Sequence, residues 1–307
     1  MAKTSMTRRN LVKGATVAGV GAAAAMLAGC ANDAAQTAAQ AAVKPVILVT
    51  SFGTSYASSR HSTIGAIESA IRERFQPTYD VRRAFTSDTI IDILKERDGI
   101  SIDNVDEAIS RCIDDGVRTL VVQPTHLMEG YEYTDLADAL EKVRDSFDDV
   151  VLGRPLLDTQ EDLDAVADAL TEELADYDDG SCALVLMGHG TESDANGVYA
   201  ALQKTFDARG QHQFFVGTVE AEPTCDDVIR AVTEAGYTRA ALSPLMVVAG
   251  DHATNDMADR NDPESWVSRF EAAGIETTCI LAGLGQYAGI DSIYVDHVSA
   301  AIDSLKG

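Results

Sequence analysis

The sequence predicts an α/β protein made of two similar domains, each a parallel sheet flanked by helices, with a cleft between them. Three observations carry that expectation. Short runs rich in Val, Ile and Leu alternate with longer amphipathic stretches, the pattern of parallel strands covered on both faces by crossover helices. The alternation occurs twice, before and after Asp178-Asp179-Gly180. The strand ends repeat as well, with SFGTS at 51–55 echoed by GHGTE at 188–192.

In order along the first half, VILVTSF (46–52) precedes the helix-like STIGAIESAIRERF (62–75), YDVRRAF (79–85) precedes TIIDILKER (89–97), and TLVVQPTH (119–126) precedes YTDLADALEKVRDSF (133–147). In the second, CALVLMGH (182–189) precedes NGVYAALQKTFD (196–207), QFFVGTVE (213–220) precedes CDDVIRAVTEAG (225–236), and AALSPLMVVAG (240–250) precedes a helix around ESWVSRFEAAG (264–274). The expected domains are 44–180 and 181–307.

Residues 1–29 stand apart from any fold. Arg8 and Arg9 lead into a Gly/Ala-rich apolar run that ends at Leu27-Ala28-Gly29-Cys30, which resembles a twin-arginine export signal closed by a lipoprotein cleavage site. The run is too short and too rich in small residues for a permanent span. Cys30 is then the lipidated mature N-terminus and 30–43 a flexible tether. The expected location is the cell membrane, facing the periplasm or the exterior, with the lipid as the sole membrane contact.

The chain carries 49 acidic and 24 basic side chains, a formal charge of −25. Loss of 1–29 removes four cations (Lys3, Arg8, Arg9, Lys13) and no acid, which takes it to −29. Such acidity excludes nucleic acid as a partner and leaves self-association open. Cys112, Cys182, Cys225 and Cys279 form no CxxC pair, so a zinc ribbon or thioredoxin motif is excluded, and most of them read as small core residues. No phosphate loop, GxGxxG fingerprint, GxSxG elbow or HExxH helix occurs, and GLGQYAG at 283–289 reads as a loop.

Overlaying the halves locates the chemistry. A shift of 137 sets Phe52 on His189, a shift of 135 sets Phe85 on Glu220, and a shift of 120 sets Glu132 on His252 while matching Pro124, Gly130 and Thr134 to Pro244, Gly250 and Thr254. Each position lies just beyond a strand's carboxyl end, where open parallel sheets bind ligands. His189, Glu220 and His252 together offer a divalent cation two imidazoles and a carboxylate, with positions left for exchange. Taken singly, each histidine also reads as a hydrogen-bonded structural residue, and the glycines as aids to a tight turn. His126 ends a first-half strand and faces the same cleft. His61 and His212 lie in polar surroundings, and His297 is expected on the exposed face of a C-terminal helix.

With these residues assembled, the chain resembles the anaerobic cobalt chelatases of cobalamin biosynthesis, the CbiK-type sirohydrochlorin cobaltochelatases. SFGTS, QPTHLMEGYEY, MGHGT, TVEAEP and SPLMVVAGDHATNDM match in order over roughly residues 44–305, the last being the most specific. The resemblance implies a ferrochelatase-like fold, His189, Glu220 and His252 as metal ligands, and catalysis by His189, His252 and a proton-accepting Glu132. It implies a tetrapyrrole cleft lined by Phe52, Phe85, His126 and Tyr133, with Tyr131 nearby. Co²⁺ enters as a substrate, Fe²⁺ or Ni²⁺ as alternatives, and no organic cofactor is expected. Arg60, Arg82, Arg83 or Lys204 are candidates to meet the substrate's carboxylates. The export signal keeps a second function open: a surface-anchored carrier of haem, another tetrapyrrole or a metal, using the same cleft without turnover.

Overall fold

The computed structural model describes residues 43–306. The expected signal 1–29, Cys30 and the tether up to Ala42 lie outside the described residues. From Val43 onward the chain forms one compact unit.

Strands β1 (Val46–Ser51), β2 (Asp80–Phe85), β3 (Thr119–Pro124) and β4 (Asp149–Leu152) make a parallel sheet in the order β2-β1-β3-β4. Strands β5 (Cys182–Gly188), β6 (Phe214–Thr218), β7 (Arg239–Pro244) and β8 (Glu276–Cys279) make a second in the matching order β6-β5-β7-β8. The helices are α1 (Ala57–Ser62), α2 (Ile64–Phe75), α3 (Asp88–Asp98), α4 (Val105–Asp114), α5 (Tyr131–Val143), α6 (Gln160–Glu173), α7 (Gly197–Ala208), α8 (Cys225–Glu234), α9 (Trp266–Ala272) and α10 (Ala288–Ser304). The duplicated parallel architecture is therefore present in three dimensions.

Burial on both faces explains the apolar strands. Ile47 and Val49 of β1, and Leu184 and Leu186 of β5, face one shared core, which α2, α6, α7 and α10 fill with Ile67, Ile71, Val166, Leu170, Leu202, Phe206 and Val298. The alternate residues turn outward: Val46 and Leu48 pack with Ile109, Cys112, Leu136 and Leu140 of α4 and α5, while Val185 and Met187 pack with Val228, Val232, Val267 and Phe270 of α8 and α9. Each such fully buried aliphatic side chain contributes roughly 1.5–3 kcal/mol of transfer free energy. Because one core spans both sheets, the strand ends are held in a fixed mutual position.

Helix starts follow their local sequence. α4 begins with a capping box between Asn104 and Glu107, and α8 with one between Thr224 and Asp227, so each satisfies its first free amides reciprocally. Both helices lead into the next strand at the same spacing, which makes α4 the counterpart of α8. α3 is an addition peculiar to the first half, started by the Ser87 cap and ended at Gly99, whose left-handed φ of 67° favours glycine.

This corrects one overlay. Ser51 pairs with Phe85 across β1 and β2, while its counterpart Gly188 pairs with Thr218 across β5 and β6. Phe85 therefore matches Thr218, and Glu220 matches Ser87. The same register appears in the loops, where Ser87 N–H donates to Phe52 O at 3.3 Å and Glu220 N–H to His189 O at 2.9 Å. A slip of two residues keeps every side chain on its face, so apolar alternation cannot detect it.

His297 is a second correction. α10 turns Ile290, Ile293, Tyr294, Val298 and Ile302 into the shared core, and His297 lies on that buried face, only 2% exposed, with Nε2 2.8 Å from Asp162 Oδ1 on α6. Burial works against the Asp162 carboxylate, but hydrogen bonds from His297 and Thr159 outweigh it and hold the group below its ordinary range. Cys112, Cys182 and Cys225 are buried, Cys279 is partly so, and all four are free thiols. Among the described residues no helix is long and apolar enough to cross a membrane.

Candidate metal centre and cleft

The glycines around His189 have steric reasons. A Cβ at Gly188 would lie 2.2 Å from the Tyr199 ring, and one at Gly190, whose φ is +91°, would lie 2.8 Å from Ala221 N. Tyr199 fills the space under the turn, and its hydroxyl accepts from Gly190 N–H at 3.2 Å. The turn thus locks the backbone on either side of one imidazole.

That imidazole is oriented by its own loop. His189 Nδ1 lies 2.8 Å from Gly190 O, and a carbonyl only accepts, so Nδ1 carries the hydrogen and Nε2 the lone pair of the neutral ring. Nε2 is 3.8 Å from Glu220 Oε1. The Glu220 backbone is tied to the His189 carbonyl, which places both groups at one strand-end rim.

His252 arrives from the loop after β7. Its Nδ1 is 2.7 Å from Asp256 Oδ2, four residues on, across a π-helical turn at Ala253–Met257. Such turns cluster at functional sites because they re-aim side chains within a helix. The carboxylate fixes Nδ1 as the protonated nitrogen and leaves Nε2 free, the arrangement found behind many metal-bound histidines. The two imidazole rings meet edge to face, 4.6 Å between centroids at 86°.

One donor atom each from His189, Glu220 and His252 lies within 4.8 Å of the others. Bonds of about 2.0–2.2 Å to a single ion require donors roughly 3–4 Å apart, so side-chain adjustments of an ångström or less close the site. The three side chains keep 46%, 57% and 34% of their surface exposed, so a cation held there is open to exchange.

These groups border a cavity of about 620 Å³ shared by both halves. The first half contributes Phe52, Leu127, Met128, Tyr131 and Glu132, and the second Val247, Val248 and the histidines. Phe52 and Tyr131 are well exposed there, at 50% and 61%, giving apolar lips suited to a flat macrocycle. Tyr56 crosses the mouth, its hydroxyl donating to Asp251 Oδ1 at 3.3 Å. Burial, with Asp251 adding to it, raises the phenol above its usual range.

His126 also lines the cavity, directly after β3. Both of its ring nitrogens are buried and without a hydrogen-bond partner. Burial pushes its pKa down to about 4, opposed only by the charge of Glu132, so the ring is neutral at pH 7.

Two expected lining residues are elsewhere. Phe85 is fully buried beneath Gly53, where an added Cβ would lie 2.6 Å from its ring, so it supports the Phe52 turn from below. Tyr133 turns away from the cleft, its hydroxyl 3.4 Å from Gly153 O and pushed up to about 12 by burial. Successive residues of α5 point about 100° apart, and Tyr131 is the one at the lip. Among the candidate cations, Arg82 is engaged by Asp80 and Asp115, and Arg83 is clamped by Glu68. Arg60 donates to Thr54 O behind the cleft wall, and Lys204 lies exposed on α7. Asp256, Tyr199 and the Tyr56–Asp251 link lie outside the sequence-based expectation; an acid four residues after His252 is the sequence signal for the first.

Residues 45–303 match the family model described as cobalt chelatase (CbiK). The chain is 37% identical over 257 residues to the sirohydrochlorin cobaltochelatase of Salmonella typhimurium, covering 84% of this chain and 96% of that protein. It is 34% identical over 264 residues to sirohydrochlorin cobaltochelatase CbiKC of Nitratidesulfovibrio vulgaris, covering 84% and 91%. The fold is similar to that of SirB from Bacillus subtilis with Fe³⁺, at a TM-score of 0.58 and 13% identity over 85% of this chain and 97% of that one. The chain belongs to the cobalt chelatase (CbiK) family.

Proposed function

We propose that this protein inserts Co²⁺ into sirohydrochlorin, as its relatives' names describe for them. The observation that carries the reading is the convergence of His189, Glu220 and His252 donor atoms within 4.8 Å at the border of a wide, largely apolar cavity. Insertion requires a partly dehydrated cation, macrocycle lone pairs turned towards it, and removal of two N–H protons. Two neutral imidazoles and a carboxylate hold the substrate cation with positions open to the incoming nitrogens. Glu132, across the cleft in the other half, receives protons. Phe52 occupies the place of His189 in the first half, so one half presents the metal while the other offers an apolar lip to the ring. Ligand affinities rising from iron through cobalt to nickel and copper make Ni²⁺ a competing substrate and Fe²⁺ a weaker one.

Anaerobic absorbance of free-base sirohydrochlorin mixed with Co²⁺ and purified protein tests this. Catalytic spectral conversion is expected, and none with Co²⁺, Fe²⁺ or Ni²⁺ removes the reading.

Export and lipidation belong to the same proposal, supported by Arg8, Arg9 and the Leu27-Ala28-Gly29-Cys30 sequence. Mass spectrometry of the mature N-terminus from the envelope fraction tests it: an acylated Cys30 is expected, and a retained Met1 contradicts it. The same leader favours a second reading, a membrane-anchored tetrapyrrole or metal carrier. Stoichiometric binding without turnover supports the carrier.

A further inference from the structure

The turns that follow β1 and β5 are two copies of one structure. Gly53 and Gly190 have φ of +100° and +91°, and Phe52 O and His189 O accept from Ser87 N–H and Glu220 N–H. Thr54 and Thr191 Oγ each accept from the amide two residues on, Tyr56 at 3.3 Å and Ser193 at 3.2 Å. The remaining amides differ. In the second half the Tyr199 hydroxyl accepts from Gly190 N–H at 3.2 Å, and Asn196 Oδ1 from Thr191 N–H at 3.1 Å. At the shift of 137 their counterparts are Ser62 and Ser59, and neither bonds to the turn. Among the described residues the N–H groups of Gly53, Thr54 and Ser55 and the Ser55 hydroxyl have no partner, and all three residues line the cavity. Backbone amides of a folded chain are otherwise almost all paired, so this run calls for an acceptor from outside.

The charge around the two turns differs in the same direction. Arg60 donates to Thr54 O at 3.1 Å, and Arg97 donates to Ser55 O. Arg97 comes from α3, the helix that the second half lacks, and the counterpart of Arg60 is Gly197. Arg97 also pairs with Asp98, while Arg60 has no ion pair among the described residues. The counterpart of Ser55 is Glu192, so a hydroxyl stands here where the second half lines the cavity with a carboxylate. Because the peptide is trans, Ser55 N–H points opposite to the Thr54 carbonyl and so away from Arg60. Resting on the reading that the cleft takes sirohydrochlorin, we infer that the Thr54–Ser55 turn is the subsite for one peripheral carboxylate of the macrocycle, received by Ser55 N–H and Oγ–H and favoured by the Arg60 charge behind them. Arg60 acts through the peptide it polarises. Among the described residues no Lys or Arg lines the cavity, and this turn is how so acidic a chain receives an anionic ring.

The test titrates metal-free sirohydrochlorin into the full chain, followed by anaerobic absorbance, for the wild type, Ser55→Ala and Arg60→Gln. Each variant is expected to bind about tenfold more weakly, with the Co²⁺ dissociation constant, measured without macrocycle, within about twofold of the wild type. The methyl-esterified macrocycle is the control. It lacks the charges, so the wild type and both variants are expected to bind it alike, which a packing defect does not reproduce. Unchanged affinity for the acid form in either variant, or equal losses for acid and ester, overturns the subsite and leaves Co²⁺ insertion by the wild type unaffected. Carboxylate-dependent binding without insertion overturns the chelatase reading and supports the subsite, and no binding of sirohydrochlorin by the wild type overturns both.

Discussion

Asp256 Oδ2 stands 2.7 Å from His252 Nδ1, one π-helical turn away, and so dictates which nitrogen of that ring is free for a metal. Removing the carboxylate leaves His252 in place but frees its tautomer and rotamer. Asp256→Ala is therefore expected to weaken Co²⁺ binding about 10–100-fold with little change in folding stability, as read by calorimetric titration and thermal melting. An unchanged affinity means that the contact is incidental.

Gly190 is expected to be nearly irreplaceable for function. Its φ of +91° and the 2.8 Å approach of a new Cβ to Ala221 N force Gly190→Ala to move the turn that aims His189. Metal affinity should fall at least tenfold while β5 and its buried neighbours hold the fold, a combination that titration and circular dichroism together resolve.

Asp291, near the start of α10, has a buried, unpaired Oδ1, and burial raises its carboxyl to about 7. The native state then holds a proton that the unfolded chain, at an ordinary value near 4, has released. Stability from this group is present below about pH 4 and declines as pH rises through about 7. Asp291→Asn should abolish that decline and raise stability at pH 8 relative to the wild type, measured by urea unfolding.

His126 acts at the opposite end of the scale. Its folded value of about 4 lies below the ordinary 6.5, so the unfolded chain binds the proton first as pH falls. The stability that depends on the neutral ring is whole above pH 6.5 and is lost between there and about 4. His126→Gln should flatten the urea midpoint across that interval, and an equally steep profile in the variant contradicts the burial of a neutral ring as its cause.

Much of the site was readable because duplication exposes what differs between equivalent places. His189 and His252 stood out only against Phe52 and Glu132. Register is not legible to within two residues, since Phe85 and Ser87 share a face, and apolar alternation therefore points Phe85 to the rim although it lies beneath Gly53. Tyr133 failed for a related reason: adjacent tyrosines at a helix start point in different directions, and composition does not say which way. The polarity of His297 points to solvent, whereas Asp162, 135 residues earlier, supplies the partner that permits burial. Side-chain pairs so distant in sequence leave no periodic trace.

The central claim is that His189 and His252 hold one cation together. X-ray absorption at the cobalt edge, on protein loaded with one equivalent of Co²⁺, measures it directly. The account predicts two imidazole nitrogens and oxygen ligands at about 2.0–2.2 Å, with the imidazole scattering lost in the His189→Ala, His252→Ala double variant. A cobalt environment without imidazole, or one unaltered by that double replacement, contradicts it.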